Sequence, residues 1–262
     1  MEYIKKLIDI SPFDYDVGNR DKIFSKALSM SFKHHMLNCA EYRQWNKKNN
    51  ISKFSDIKDL NSFPYLPSSI FKKIDLISSK KHYKKITSSG TSGQKKSKIY
   101  LDKTNAINQT FVLSKILTAL LGRKRNPFLI IDVNPSTNSI STDISARTAG
   151  MSGFLMASSE QKYLLKTNYD LNTNYLNKII IDFKKKNKIP VIIGYTYLIF
   201  QKLLNEKNKF DLPKGTKLIH FGGWKKLKDK SINKKELNKL INKKLGIQLS
   251  NIFDIYGFSE QL

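Results

Sequence analysis

Apolar and polar positions change period along the chain, and that change predicts its elements. From Lys22 to Trp45 apolar residues recur near i, i+3 and i+4, which predicts a helix that Asn46 to Asn50 terminates. Pro64 and Pro67 bracket a connector. Beyond it, short β-branched and aromatic runs alternate with longer amphipathic ones. Strands are expected at 86–88, 97–101, 128–133, 191–194, 217–221 and 251–256. Helices are expected at 105–121, 145–157, 173–186, 197–204 and 232–245. Continuous apolar strands separated by helices of this length indicate βαβ units and a parallel sheet covered on both faces. The expected class is therefore α/β, mostly parallel sheets flanked by helices, behind a helical amino-terminal segment. In such sheets ligands sit at the carboxyl ends of the strands.

At 262 residues, with 40% hydrophobic content, 15 Phe and 12 Tyr, the chain is long and apolar enough to build a full core. No run of 18 apolar residues occurs, so no transmembrane segment is expected, and Met1 to Lys6 does not read as a signal sequence. The single cysteine, Cys39, leaves no internal disulfide and no multi-cysteine zinc site, and the reading is cytoplasmic. His34, His35, Cys39 and Tyr42 share the predicted first helix. A Cys/His pair four residues apart supplies too few ligands for structural zinc, so all four read as packing or surface residues.

The net charge of +26 raises one class of function, a non-enzymatic basic nucleic-acid-binding protein. Only five of the 47 basic residues are arginine. The lysine clusters, such as Lys184-Lys185-Lys186 and Lys243-Lys244, lie on helices that also carry an apolar stripe. None interleaves with aromatics as a base-stacking platform does. Solvated lysine faces account for them, and no nucleic acid is expected as a partner.

One short run carries most of the candidate chemistry: Thr87-Ser88-Ser89-Gly90-Thr91-Ser92-Gly93-Gln94-Lys95-Lys96. Glycine lets the backbone approach a ligand, while hydroxyls and backbone N–H groups donate to anionic oxygens. Such a loop suits a polyphosphate, with Lys95 and Lys96 adding point charge. It is not the GxxxxGK[ST] phosphate loop, because its glycines are too closely spaced and no Ser or Thr follows a Gly-Lys pair. Taken alone, it reads equally as a flexible Ser/Gly surface turn. Two further segments follow strand-like runs: Phe221-Gly222-Gly223-Trp224-Lys225 after 217–220, and Tyr256-Gly257-Phe258-Ser259-Glu260-Gln261 after 252–254.

In this order the three segments resemble the adenylate-forming superfamily of acyl-CoA synthetases, luciferases and nonribosomal-peptide adenylation domains. Phe63 to Lys72, Ser88 to Gly93, Ala146 to Met151 and Phe221 to Lys225 resemble one branch, the bacterial acyl-protein synthetases. These are LuxE-type long-chain fatty acid–protein ligases, part of the fatty acid reductase complex that feeds bacterial luciferase. The resemblance runs from about the first helices to the last residue. It implies ATP and Mg²⁺, a fatty acid substrate, and an acyl reductase and acyl-transferase or thioesterase subunits as partners.

By that resemblance Ser88, Ser89, Gly90, Thr91, Ser92 and Gly93 hold the β- and γ-phosphates, helped by Lys95 or Lys96. Gly222 and Gly223 leave room for adenine, with Trp224 shaping the wall. Tyr256 and Gly257 lie near the base, Ser259 donates to the α-phosphate where the superfamily usually has Thr, and Glu260 coordinates Mg²⁺. Thr91, Ser259 and Glu260 are the expected catalytic residues. Core packing is the competing reading for Trp224 and Tyr256, and a solvated terminal acid for Glu260. Arg147 stays unassigned, and Gly194-Tyr195-Thr196 is a candidate wall for the acyl pocket.

The family's chains continue beyond this length. Residues 1–262 are therefore expected to form an incomplete adenylation domain, the large amino-terminal domain of the adenylate-forming fold. Residues 1–75 would be a helical leader and 76–262 an α/β ATP-binding core, with the mobile carboxy-terminal domain absent. That domain's lysine and the acceptor cysteine cannot be located, and Cys39 lies in the wrong region to be that thiol. A fragment, a natural truncation and a chain completed by a partner all stay open, and weak or absent adenylation is expected of the chain as given. A second enzyme reading sends the acyl group to coenzyme A or a carrier, in surface polysaccharide or lipid synthesis.

Overall fold

A computed structural model of the chain describes residues 2–14, 16–54, 59–61, 63, 65–79, 81, 83–87, 95–137, 151–207 and 209–256. The chain divides after Ala119 into two compact units.

The first unit opens with α1 (Glu2–Asp9), α2 (Val17–Asn38) and α3 (Ala40–Lys48). The helix expected as one piece from Lys22 to Trp45 is broken at Cys39, which is extended at φ −129° and ψ 111°. Packing explains the break. Phe32 and Tyr42 are ten residues apart, about 15 Å along a straight helix, yet their ring centroids lie 6.1 Å apart, edge to face. The turn brings Phe32, Cys39, Tyr42 and Phe63 into one buried cluster. Arg43 Nη1 donates to the carbonyl of Met36 at 2.8 Å, satisfying a carbonyl that the end of α2 leaves open. Cys39 is 2% exposed, so it serves as a packing residue here.

β1 (Lys84–Thr87) and β2 (Lys98–Leu101) pair antiparallel, with Lys84 opposite Leu101 and Thr87 opposite Lys98. They form their own two-stranded sheet, which corrects the expectation that these strands join the parallel one. α4 (Lys103–Leu121) follows, and Asp102 Oδ1 accepts the Asn105 N–H at 2.8 Å over its first turn.

The second unit holds a five-stranded sheet: β3 (Asn126–Val133), β4 (Ser158–Leu165), β5 (Val191–Tyr195), β6 (Lys217–Phe221) and β7 (Ile252–Ile255). Its order is β4-β3-β5-β6-β7, and every neighbouring pair is parallel. The chain thus starts at β3, steps outward to β4, then crosses back to β5 and builds the other half. This is a doubly wound arrangement, with its switch point between the carboxyl ends of β3 and β5. Phe128 to Ile131 of β3 are fully buried, as in an interior strand of a parallel sheet that is covered on both faces.

Each connecting helix is specified locally. α5 (Thr173–Lys185) starts where Asn172 accepts the Tyr175 N–H, and buries Leu176, Ile179, Ile180 and Phe183 at helical spacing. α6 runs from Thr196 to Leu204, with a π-helical stretch over Ile199–Leu204. α7 (Lys234–Leu245) opens with a complete Asn233/Glu236 capping box, buries Leu237, Ile241 and Leu245, and ends at Gly246 with φ 68°. β4 is absent from the expected strands because five of the eight residues of Ser158–Leu165 are polar. It is an edge strand, and Glu160 binds Lys188 at 2.5 Å and Lys162 at 3.2 Å. Among the described residues no helix is long and apolar enough to cross a membrane.

Candidate functional site

The carboxyl ends of β5, β6 and β7 lie side by side, and register decides which side chains meet there. Gly194 pairs with His220, and His220 with Asp254. Directly paired positions share one face of the sheet, so a glycine, a histidine and an aspartate form a row across three strands. Gly194 must be small, since a Cβ there would come within 2.9 Å of Ile131 Cβ and 3.3 Å of Ile199 Cγ1.

Immediately after β5, Thr196 turns its hydroxyl toward β6. Its Oγ1 lies 3.0 Å from His220 Nδ1, 3.0 Å from the Gly222 carbonyl and 3.3 Å from the Phe221 carbonyl. Asp254 Oδ1 lies 3.7 Å from the same Nδ1, and Asp254 Oδ2 is 3.4 Å from Lys234 Nζ. Hydroxyl and carboxylate thus face one ring nitrogen. A catalytic hydroxyl–histidine–carboxylate triad places them on opposite nitrogens, so this cluster is not one. Burial pushes the His220 pKa below its ordinary value, against the opposing pull of Asp254.

The other sheet face carries aromatics at the same level. Phe221 stacks on Phe154 at 5.1 Å and meets the edge of Tyr195 at 4.6 Å. The glycine turn sits on this support. Gly222 has φ +74°, and a Cβ on it would lie 3.0 Å from Tyr195 Cδ1. Gly223 differs: its φ is outside the left-handed region and a Cβ there would meet nothing within 4 Å. The fold therefore requires glycine at 222 and leaves the space beside 223 open.

Trp224 is half-buried against the core and meets Phe200 at 5.0 Å, edge to face, so packing orients it. Tyr256, at the end of β7, is 83% exposed, which sets aside core packing for it. Lys95 and Lys96 are exposed ahead of β2. Ser88, Ser89, Gly90, Thr91, Ser92, Gly93, Arg147, Gly257, Ser259 and Glu260 lie outside the described residues. The structure thus sets Gly222 against Thr196, with Gly223 and Trp224 following it in the same turn. It adds His220 and Asp254, which the sequence reading did not single out. The available signal was a single polar residue inside each of two mostly apolar strands, His220 in Lys217–Phe221 and Asp254 in Ile252–Ile255.

A family model described as Acyl-protein synthetase, LuxE, matches residues 2–262. No curated protein matches the chain.

Proposed function

We propose that this chain, which belongs to the acyl-protein synthetase (LuxE) family, uses ATP to activate a long-chain fatty acid and passes the acyl group to a protein thiol. In the first step a carboxylate oxygen attacks the α-phosphorus of ATP, the bond to the β-phosphate oxygen breaks, and pyrophosphate leaves. In the second a thiolate attacks the acyl carbonyl, a thioester forms, and AMP leaves. One observation carries the reading: the family match spans essentially the whole chain, so all three motifs fall within it. Gly223 follows the carboxyl end of β6, the side of a parallel sheet where ligands bind, and its flank is unobstructed, which supports the same placement for the nucleotide.

In this reading Ser88 to Gly93, with Lys95 and Lys96, clasp the β- and γ-phosphates. Gly222 and Gly223 border the adenine, Trp224 holds that wall through its contact with Phe200, and Tyr256 and Gly257 close the other side. Ser259 donates to the α-phosphate, and Thr91 and Ser259 stabilise the charge that develops there. Glu260 supplies the oxygen ligand for Mg²⁺, which when bound neutralises phosphate charge. The product serves an acyl reductase, with an acyl-transferase or thioesterase as source of the fatty acid, as in a reductase system that feeds bioluminescence. Fatty acid-dependent exchange of labelled pyrophosphate into ATP tests the reading. Slow exchange that requires Mg²⁺ and is lost in Gly93→Val is expected. Exchange no greater than that variant's, with any saturated fatty acid, refutes it.

A further inference from the structure

Thr196 carries one hydroxyl proton but has three neighbours within hydrogen-bonding reach of Oγ1: His220 Nδ1, the Gly222 carbonyl and the Phe221 carbonyl. Carbonyl oxygens only accept. The hydroxyl therefore donates to the carbonyls, chiefly Gly222 at 3.0 Å, and accepts from a protonated Nδ1 of His220. Asp254 Oδ1, facing the same nitrogen, favours that tautomer. His220 Nε2 then bears a lone pair, buried with no hydrogen-bond partner among the described residues. The opposite tautomer would bury an orphan N–H at Nε2 and take the Thr196 proton away from two carbonyls, a costlier arrangement.

The consequence falls on the glycine turn. No peptide bond in the described chain is cis, so the Gly222 carbonyl and the Gly223 N–H point in opposite directions from one plane. Holding the carbonyl toward Thr196 turns the Gly223 N–H away from it. We propose that His220 is a positioning residue: through Thr196 it fixes the Gly222–Gly223 peptide so that the Gly223 N–H is presented to an acceptor on the bound nucleotide. The role rests on the nucleotide reading above, whereas the hydrogen-bond relay itself does not. The peptide lies between two glycines, whose backbone freedom would let it pivot, and the relay removes that freedom.

Nuclear magnetic resonance of protein labelled with ¹⁵N-histidine, assigned with His220→Gln, reads the ring directly. A neutral His220 with the proton on Nδ1 is expected, distinct from His34, His35 and His82. Thr196→Val should change that tautomer or its shifts and move the Gly223 amide resonance, while Thr196→Ser restores both. Mg·ATP affinity should fall about tenfold in Thr196→Val and recover in Thr196→Ser. A proton on Nε2, or a Gly223 amide and ATP affinity unmoved by Thr196→Val, overturns the proposal. A wild type that binds no ATP refutes the nucleotide role, and the tautomer then still decides the relay. Amide dispersion of the Thr196→Ser spectrum confirms that the fold is retained.

Discussion

Gly222 and Gly223 are neighbours in the turn after β6, yet alanine should destabilise at the first and be nearly neutral at the second. At Gly222 the backbone is left-handed, φ +74°. An L-residue there costs about 1–2 kcal/mol relative to glycine. The added methyl also lies 3.0 Å from Tyr195 Cδ1, so a ring already held against Phe221 must shift by a few tenths of an ångström. Alanine narrows the unfolded ensemble by about 0.4–1 kcal/mol in the stabilising direction, and the contact with Tyr195 offsets that. Gly222→Ala should therefore lose about 1–2 kcal/mol. Gly223→Ala meets neither penalty and should stay within about 0.5 kcal/mol of wild type. The tryptophans separate the units, Trp45 in the first and Trp224 in the second. In a Trp45→Phe background, urea unfolding followed by Trp224 fluorescence reports the second unit. A Gly222→Ala protein as stable as its parent refutes the claim that the fold requires this glycine. An equal loss in Gly223→Ala refutes the claim that position 223 is free for a ligand.

Asn233→Ala removes the capping box of α7 and should cost about 1 kcal/mol in the same unfolding assay, with Asn233→Asp retaining most of it. Burial holds His35 and His220 below the ordinary histidine value of 6.5. The unfolded chain therefore binds more protons than the folded one as pH falls below that value. Stability is full above it and declines toward each folded pKa, by up to about 1.4 kcal/mol per pH unit for each histidine. His220 is faced by Thr196 from α6, Asp254 from β7 and Lys234 ahead of it on α7; His220→Gln should flatten the acid slope, and an unchanged slope contradicts the assignment. Replacing Thr91 or Gly93 with a bulky residue should abolish calorimetric Mg·ATP binding, and unchanged binding removes that loop from the site.

The readable part of the fold was the part whose burial repeats along one strand or helix. The runs at 128–133, 191–194 and 217–221 announce central parallel strands because both faces of each are covered. β4 is not legible because an edge strand need not be apolar, and its Glu160 meets Lys188, 28 residues on, only after folding. The turn at Cys39 was hidden because no Pro or Gly marks it; the clustering of Phe32, Tyr42 and Phe63 imposes it from a distance. The same holds for the site. A glycine pair after an apolar strand is legible as a motif, whereas the link from Thr196 to His220 to Asp254 depends on the register of three strands. No single stretch of sequence encodes that register.

The central claim is a site for an activated acyl-nucleotide beside Gly223, and a non-hydrolysable acyl-adenylate mimic, an alkyl sulfamoyl-adenosine, tests it most directly. Calorimetric titration should show the mimic binding at least tenfold more tightly than ATP or the fatty acid alone. Replacing Gly223 with valine, which fills the open flank without straining the backbone, should remove that advantage while Trp224-detected stability stays near wild type. Binding no tighter than that of ATP, or full affinity in Gly223→Val, would contradict the account.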